Sequence, residues 1–433
     1  MLKIAIILLM KVYFVGIKGT GMSALALVYK NLGYEVVGSD VKEYFFTQES
    51  LVKNKIKFYE NFSEENIKKE LPIKLAIVSN AWQNNIETQF LKKLKIKTLT
   101  YSEGVARIFN KSFGIAVCGT HGKTTTTAFL GKIFELAKKE VTVLVGSPVK
   151  DWGGPVYFSG KKFFILEADE YKNAFLNYKP KVIILTSLDY DHPDFFKTKK
   201  EYKESFLRFF RNLKKPSILI SYHKFKLPKR IKQFKVKYNK NLKFDFFAPG
   251  DHWQKNLQLV YKFCELFNLQ NQFYLATKNF KGPLRRFDIL SHDPLLIDDY
   301  GHTPEEVRAF YRSLEERFKN KKIYFIFQPH TYTRTKFLFK KFLKTFKEII
   351  SSKNVQKLII FKTFSSAREK NNEENKKVEE KLKNISKKLK KTLYFESEEK
   401  LLKFLKKIKN YNNKLIATCG AGNIYKVLFK IKN

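Results

Sequence analysis

Residues Gly119-Thr120-His121-Gly122-Lys123-Thr124-Thr125 follow the apolar run Gly114–Cys118 and lead into further threonines. A strand that ends in a glycine turn, a lysine and a hydroxyl tract has the parts needed to hold a triphosphate. The glycines let successive backbone N–H groups face one anionic centre. Lys123 has the reach to meet the terminal phosphates, and Thr124 offers its hydroxyl to Mg2+ where a helix begins. That helix is expected to run to about Ala137 and to add the positive end of its dipole. The usual P-loop spacing asks for a glycine where Val117 stands, so this is a shortened G-x-x-G-K-T loop. A Gly-Lys-Thr turn that only caps a helix is the bland alternative, and the order strand, turn, helix argues against it. These residues predict ATP and Mg2+ as ligands.

Two further apolar runs end in acids. Phe163–Leu166 leads into Glu167-Ala-Asp169-Glu170, and Val182–Leu185 leads through Thr186 and Ser187 to Asp189-Tyr-Asp191-His192. In open parallel sheets the carboxyl ends of the strands form the ligand-binding edge, so these acids are expected to face the phosphates. Glu167 is the expected Mg2+ ligand, because Mg2+ keeps several waters and takes one or two carboxylates alongside phosphate oxygens. A lone histidine is usually a hydrogen-bonded core residue. His192 lies after an apolar strand with two aspartates around it, and is expected to hold a second metal ion or to position a reacting carboxylate.

Cationic and imidazole groups gather later in the chain, at Arg285-Arg286-Phe, Asp298-Asp299-Tyr300-Gly-His302-Thr-Pro304 and Gln328-Pro-His330-Thr-Tyr-Thr-Arg334. Phosphoryl transfer to a carboxylate brings two anions together and so needs cations more than it needs a nucleophile. A guanidinium can grip a carboxylate through two parallel hydrogen bonds, which suits Arg334.

The elements that must position these groups alternate as strand, turn and helix. Val12–Val15 enters Gly16-Ile-Lys18-Gly19-Thr20-Gly21-Met22, a helix runs to about Leu32, and a second strand ends at Ser39-Asp40. This is a dinucleotide-type fingerprint with its acid one βαβ unit downstream. Lys18 stands in a glycine position, so the backbone at Gly19 and Gly21 is expected to approach a diphosphate. Further strands are expected at Leu75–Val78, Lys97–Thr100 and Lys322–Phe327, with a helix from Glu305. The fold class read from this pattern is α/β in three domains. Residues 1–110 form a Rossmann-like domain, 111–283 a P-loop-type ATPase domain on a parallel sheet, and 284–433 a second Rossmann-like domain. The Lys/Glu-rich segment Glu373–Lys391 carries Val378, Leu382, Ile385 and Leu389 on one stripe, which predicts a solvated helix with a core-facing seam.

Composition fits a globular enzyme. The chain has 433 residues, 44% hydrophobic and 15% aromatic, enough for a sizeable core and against disorder. Its formal charge of +43 invites a nucleic-acid reading. The excess is mostly lysine and is spread along the whole sequence, whereas a nucleic-acid site clusters arginine with exposed aromatics, so no specific nucleic-acid partner is expected. Cys118, Cys264 and Cys419 are far apart and form no C-x-x-C pair, which predicts neither a disulfide framework nor a zinc site and points to a cytoplasmic protein. The opening apolar run is far below membrane-spanning length, and Met10 is a candidate natural start.

Taken in order, nine pieces resemble the Mur ligases of bacterial cell-wall synthesis from about Met10 to the end of the chain. They are G-x-x-G-x-G-M-S with G-S-D, G-T-H-G-K-T-T-T-T, E-A-D-E-Y, D-H-P-D, G-x-x-R-R-F, D-D-Y-G-H, F-Q-P-H-x-Y-T-R-T, S-A-R-E and G-A-G-N-I. The F-Q-P-H and D-D-Y-G-H pieces favour the alanine-adding branch over the ligase that recycles whole murein peptides. The resemblance implies that the first domain holds UDP-N-acetylmuramate through Gly19, Thr20, Gly21, Met22, Ser39 and Asp40, the middle one ATP, and the last L-alanine. It implies that ATP phosphorylates the lactyl carboxylate and that the amine of alanine attacks the acyl phosphate, giving an amide, ADP and phosphate. Lys123 and Thr124 would then meet phosphate and Mg2+, Glu167 the metal, and His192 a second metal. Asn256 would contact adenine, Arg286 the phosphates and Asp299 the ATP ribose region. His302, His330 and Arg334 would surround the amino acid and the muramoyl carboxylate. The chain departs from the family at Trp253, Thr303, Ser187 and Asn423. Trp253 replaces an adenine-side asparagine, and its indole is expected to stack on the base. Another member of the family with a different amino acid or peptide substrate, or a UDP-sugar-binding relative without catalysis, is the runner-up.

Overall fold

A computed structural model describes residues 10–45, 47–193, 195–365, 373–408 and 411–432. The S-A-R-E piece, the apolar run before Met10 and Asp194 of D-H-P-D lie outside the described residues. The chain divides into two compact units, one made of Met1–Leu242 with Lys255–Lys281, the other of Lys243–Gln254 with Gly282–Asn433.

The first unit carries two sheets. One is all parallel, in the order Lys57–Tyr59, Glu35–Ser39, Lys11–Val15, Leu75–Val78, Thr98–Thr100. Its central strand is buried throughout Val12–Val15, as expected where helices cover both faces of a parallel sheet. Register places Val15 beside both Ser39 and Val78, so Gly16 and Asp40 leave the sheet at one edge. The second sheet has seven strands in the order Lys232–Lys235, Ile218–Ser221, Val182–Leu185, Phe113–Cys118, Phe163–Glu167, Val141–Val149, Gly154–Phe158. Only the last pair is antiparallel. Val117 lies opposite Glu167 and Cys118 opposite Leu185. The three strands therefore end level, and the acidic turns flank the glycine loop on both sides.

The sheet of the second unit runs Asp288–His292, Leu295–Asp299, Lys414–Cys419, Lys322–Phe327, Val355–Phe361, Thr392–Phe395, parallel except for the first pair. Asp299 and Phe327 are both in register with Cys419. The turns at Tyr300, Gln328 and Gly420 consequently share one edge. The α/β class read from the sequence holds, with three largely parallel sheets. The Lys/Glu-rich segment is a helix, Glu373–Lys388, that buries Val378, Leu382 and Ile385 and packs Leu389 just beyond its end against the same core.

Candidate active site

In the first unit the glycine loop joins the central strand to the helix Lys123–Leu136. Gly122 adopts φ 81°, and a Cβ there would lie 2.3 Å from the Asn256 amide. Gly119 adopts φ 134°, and a Cβ there would lie 2.4 Å from Thr186 Oγ1 and 2.7 Å from Ser187 O. The loop can therefore pass between the Asn256 side chain and the 186–187 backbone only as glycine. Side chains of the neighbouring strand end hold its shape. Ser187 Oγ accepts from His121 N at 2.9 Å, Thr186 Oγ1 donates to His121 O at 2.6 Å, and Thr120 Oγ1 accepts from Asp189 N at 2.9 Å. No side chain caps the helix start, which leaves its first-turn N–H groups turned toward the loop, the arrangement that receives a phosphate.

The charged groups converge by direct contact. Lys123 Nζ donates to Gly119 O at 2.6 Å and pairs with Glu170 Oε2 at 2.9 Å. Glu170 is fully buried, and its other oxygen accepts from Tyr202 Oη at 3.0 Å. Burial alone would pull the Lys123 ammonium down, but Glu170, Asp169 and Glu167 outweigh it and hold the ammonium above the ordinary lysine value. Thr124 Oγ1 donates to Glu167 Oε1 at 2.8 Å, while Gly146 N donates to Glu167 Oε2 at 2.7 Å. His192 Nε2 lies 4.0 Å from Glu170 Oε1 and 3.8 Å from Asp191 Oδ2. Its backbone is left-handed, φ 55°, a conformation that costs energy in a non-glycine residue and is often kept where a side chain must be aimed. Among the described residues, Asp169, Glu170 and His192 present ligand atoms within 4.8 Å of one another.

The first sheet supplies a second constellation. Asp40 is buried, and its carboxylate accepts from Lys18 N at 2.6 Å and Val41 N at 2.8 Å. The Lys18 side chain is fully buried and reaches Val41 O, Glu43 O and Glu60 Oε1. It fastens the 41–43 turn and leaves Gly19, Thr20 and Gly21 to present backbone at the start of the helix Thr20–Asn31. Met22 is buried in the core beneath that turn, and the buried Ser39 hydroxyl donates to Glu87.

In the second unit Asp299 is buried, accepting from Phe287 N at 2.9 Å and Gly301 N at 2.7 Å. Burial pushes its carboxyl up to about 6, with Arg286 and the two backbone donors pulling the other way. Arg286 itself makes no hydrogen bond or ion pair with the described residues and rests 5.2 Å from the centre of the Tyr300 ring. The rings of His302 and His330 stand 5.7 Å apart, and His330 stacks on Phe364. Arg334 follows in the first turn of the helix Tyr332–Ser351, whose N-cap Thr331 has φ 63°.

Models of three domains match in sequence: the Mur ligase family catalytic domain over residues 11–112, the Mur ligase middle domain over 117–282, and the Mur ligase glutamate ligase domain over 285–422. The UDP-N-acetylmuramate–L-alanine ligase of Borreliella burgdorferi is 32% identical, spanning 95% of this chain and 96% of that one. The chain belongs to the Mur ligase family. Among solved structures, the UDP-N-acetylmuramate-alanine ligase of Thermotoga maritima superimposes with a TM-score of 0.76 at 25% identity, covering 98% of both chains. A murein peptide ligase from Psychrobacter arcticus shares the fold, with a TM-score of 0.66 at 17% identity.

Within this Mur ligase the sequence-derived metal set falls into two groups, Thr124 with Glu167 and His192 with Asp169 and Glu170. The hydroxyl and carboxylate oxygens of the first group match the hard oxygen donors that Mg2+ prefers, and the glycine cradle beside them matches phosphate. Trp253 does not present a face to a base. It is 6% exposed, with its ring 5.7 Å from Phe247 and 6.1 Å from Phe246, and it belongs to the core of the second unit. Phe246 and Phe247 pack against it, and an indole at that position gains far more by filling the core than by facing water. From sequence Glu170 was read as one of the acids facing the phosphates and Arg285 as part of a cationic run, neither with a role of its own, and Tyr202 was not singled out. Only the E-A-D-E spacing hinted at Glu170, and nothing marked Tyr202.

The raised Asp299 value yields a pH prediction. The folded state binds the proton more tightly than the unfolded chain between the ordinary value of 3.8 and about 6, so stability falls as pH rises through that window. The full change is on the order of 3 kcal/mol. Melting midpoints of the Asp299→Asn variant followed from pH 4 to 6.5 are expected to lose this slope. An unchanged slope would show that Asp299 is not its source.

Proposed function

We propose that this chain joins L-alanine to the lactyl carboxylate of UDP-N-acetylmuramate, using ATP and passing through an acyl phosphate, with ADP and phosphate as the other products. The observation that carries this reading is the Lys123–Glu170–His192 and Thr124–Glu167 assembly at level strand ends, in a chain aligned over nearly its whole length with alanine-adding ligases. Lys123 neutralises the terminal phosphates while the γ-phosphoryl group moves to the carboxylate, and the helix N–H groups behind it bind the charge that develops on the leaving side. Thr124 and Glu167 would hold Mg2+, which would supply positive charge against the phosphates. The Asp169–Glu170–His192 group is the place for a second divalent ion. In the second unit Arg286 meets phosphate, and Arg334 with His302 and His330 orients the amino acid. An imidazole is a common general base, which suits these side chains to take the proton the amine gives up as it attacks the acyl carbon. Exclusion of water from the acyl phosphate is required for the amine to win.

Three free, buried cysteines fit a reducing cytoplasmic setting, and no helix among the described residues is long and apolar enough to cross a membrane. A coupled ADP-release assay with purified protein, UDP-N-acetylmuramate and each amino acid in turn tests the reading. ADP is expected only when nucleotide, sugar and L-alanine are all present. Release that requires a peptide, or none with any acceptor, would overturn it.

A further inference from the structure

Two aromatic side chains stand over the glycine turn of the first sheet. A Cβ on Gly16 would lie 2.4 Å from Trp82 Cδ1, and one on Gly21 would lie 3.0 Å from both Cε2 and Cζ of Tyr101 and 3.3 Å from its Oη. The tip of the Tyr101 ring thus rests on the first turn of the helix Thr20–Asn31, which has no side-chain cap and no acid in that turn. Tyr101 opens the helix Tyr101–Phe109, whose start is fixed by a complete capping box between Thr100 and Glu103. The same helix is tied to the segment beyond the acidic turn of the second sheet. Asn177 Nδ2 donates to Ser102 Oγ at 3.0 Å, Asn110 Nδ2 donates to Asn177 O at 3.1 Å, and Lys179 N donates to Asn110 Oδ1 at 2.7 Å.

Tyr101 is therefore placed between the uncapped helix start of one sheet and the Glu167–Glu170 turn of the other. Its hydroxyl makes no hydrogen bond with the described residues, although a half-buried phenol normally finds a partner. Burial, then the charges of Glu167 and Asp169, raise its pKa well above that of an ordinary tyrosine, so the hydroxyl stays a donor. A neutral donor pointing at an uncapped helix start has an anionic acceptor as its natural complement, and helix N–H groups and phenol would then bind the same phosphate oxygens from two sides.

We infer that Tyr101 is a substrate-binding residue whose hydroxyl donates a hydrogen bond to the diphosphate of the UDP-sugar, fixing that end of the substrate. The inference rests on the proposed function for the identity of the substrate. Its test does not depend on turnover. Calorimetric titration of the intact protein with UDP and with UMP is expected to show UDP bound more tightly, and the Tyr101→Phe variant is expected to lose about tenfold or more in affinity for UDP while UMP binding is unchanged. In turnover the same variant is expected to raise KM for the UDP-sugar and leave KM for ATP and alanine in place. Equal losses toward UDP and UMP, a lowered melting point with all three KM values raised, or no loss toward UDP would each overturn the role of Tyr101. Failure of the wild-type protein to release ADP while it still separates UDP from UMP would sink the proposed reaction and leave Tyr101 standing.

Discussion

Replacement of Lys123 by alanine is expected to lower turnover by at least a hundredfold while the chain still folds around its second sheet. The ammonium reaches into the glycine loop, held 2.6 Å from Gly119 O, and its raised pKa keeps it charged across the working pH range. A transition-state contact of this kind contributes on the order of 3 kcal/mol, which is about a hundredfold in rate. The substitution has a second effect, because Glu170 is fully buried and Lys123 is its cation at 2.9 Å. Removing one member of a buried pair typically costs about 3–5 kcal/mol of stability. The double variant Lys123→Ala with Glu170→Gln separates the two effects. Its melting point is expected to recover much of the loss, and ADP release is expected to stay at the level of the single variant. Recovery of turnover in the double variant would show that the lysine acts only through the buried pair.

What the sequence disclosed follows from how local its signals are. The glycine loop, its strand and its helix were readable because an apolar run, a left-handed turn and a hydroxyl tract follow one another, and the structure starts the helix within one residue of the expected place. Acids after apolar strands were readable for the same reason, and parallel register brings them level with the loop. The choice among those acids was not readable. Beyond Glu170 the chain turns through left-handed Lys172 and Asn173, and this turn accompanies the seating of Glu170, rather than Asp169, against Lys123. Lys18 looked like a flaw in a glycine fingerprint. Its role depends on Val41, Glu43 and Glu60, whose approach no local pattern encodes. Trp253 was misread because a motif comparison registers which residue is absent and says nothing about the core that Phe246 and Phe247 build around its replacement.

The pair Arg285-Arg286 shows the same limit and yields the second large effect. Arg285 and Phe287 both have positive φ, 60° and 47°, so successive side chains are thrown to different sides. Arg285 goes inward. Its Nε donates to Asp298 Oδ2 at 2.8 Å, one terminal nitrogen donates to Gly422 O at 3.0 Å and the other to Gly420 O, and the guanidinium stacks 4.2 Å from the centre of Tyr425. One side chain thus ties the G-A-G-N turn to the strand that presents Asp299 and His302. Asp298 is 1% exposed, and its other oxygen accepts from Thr418 Oγ1 at 2.6 Å. Arg285→Ala takes from that buried carboxylate its cation and from two carbonyls this donor, leaving Asp298, among the described residues, only the Thr418 hydroxyl, an expected loss of about 3–5 kcal/mol. In a thermal melt this corresponds to a fall of roughly 10 °C for a unit of this size. Arg285→Lys keeps the charge but cannot serve three acceptors in one plane, so it is expected to recover only part of the loss. Arg286→Ala breaks no contact of this kind, and its melting point is expected to stay within about 2 °C of the wild type while ADP release collapses. If the two arginines gave the same melting points and the same activities, the division of labour between them would be wrong.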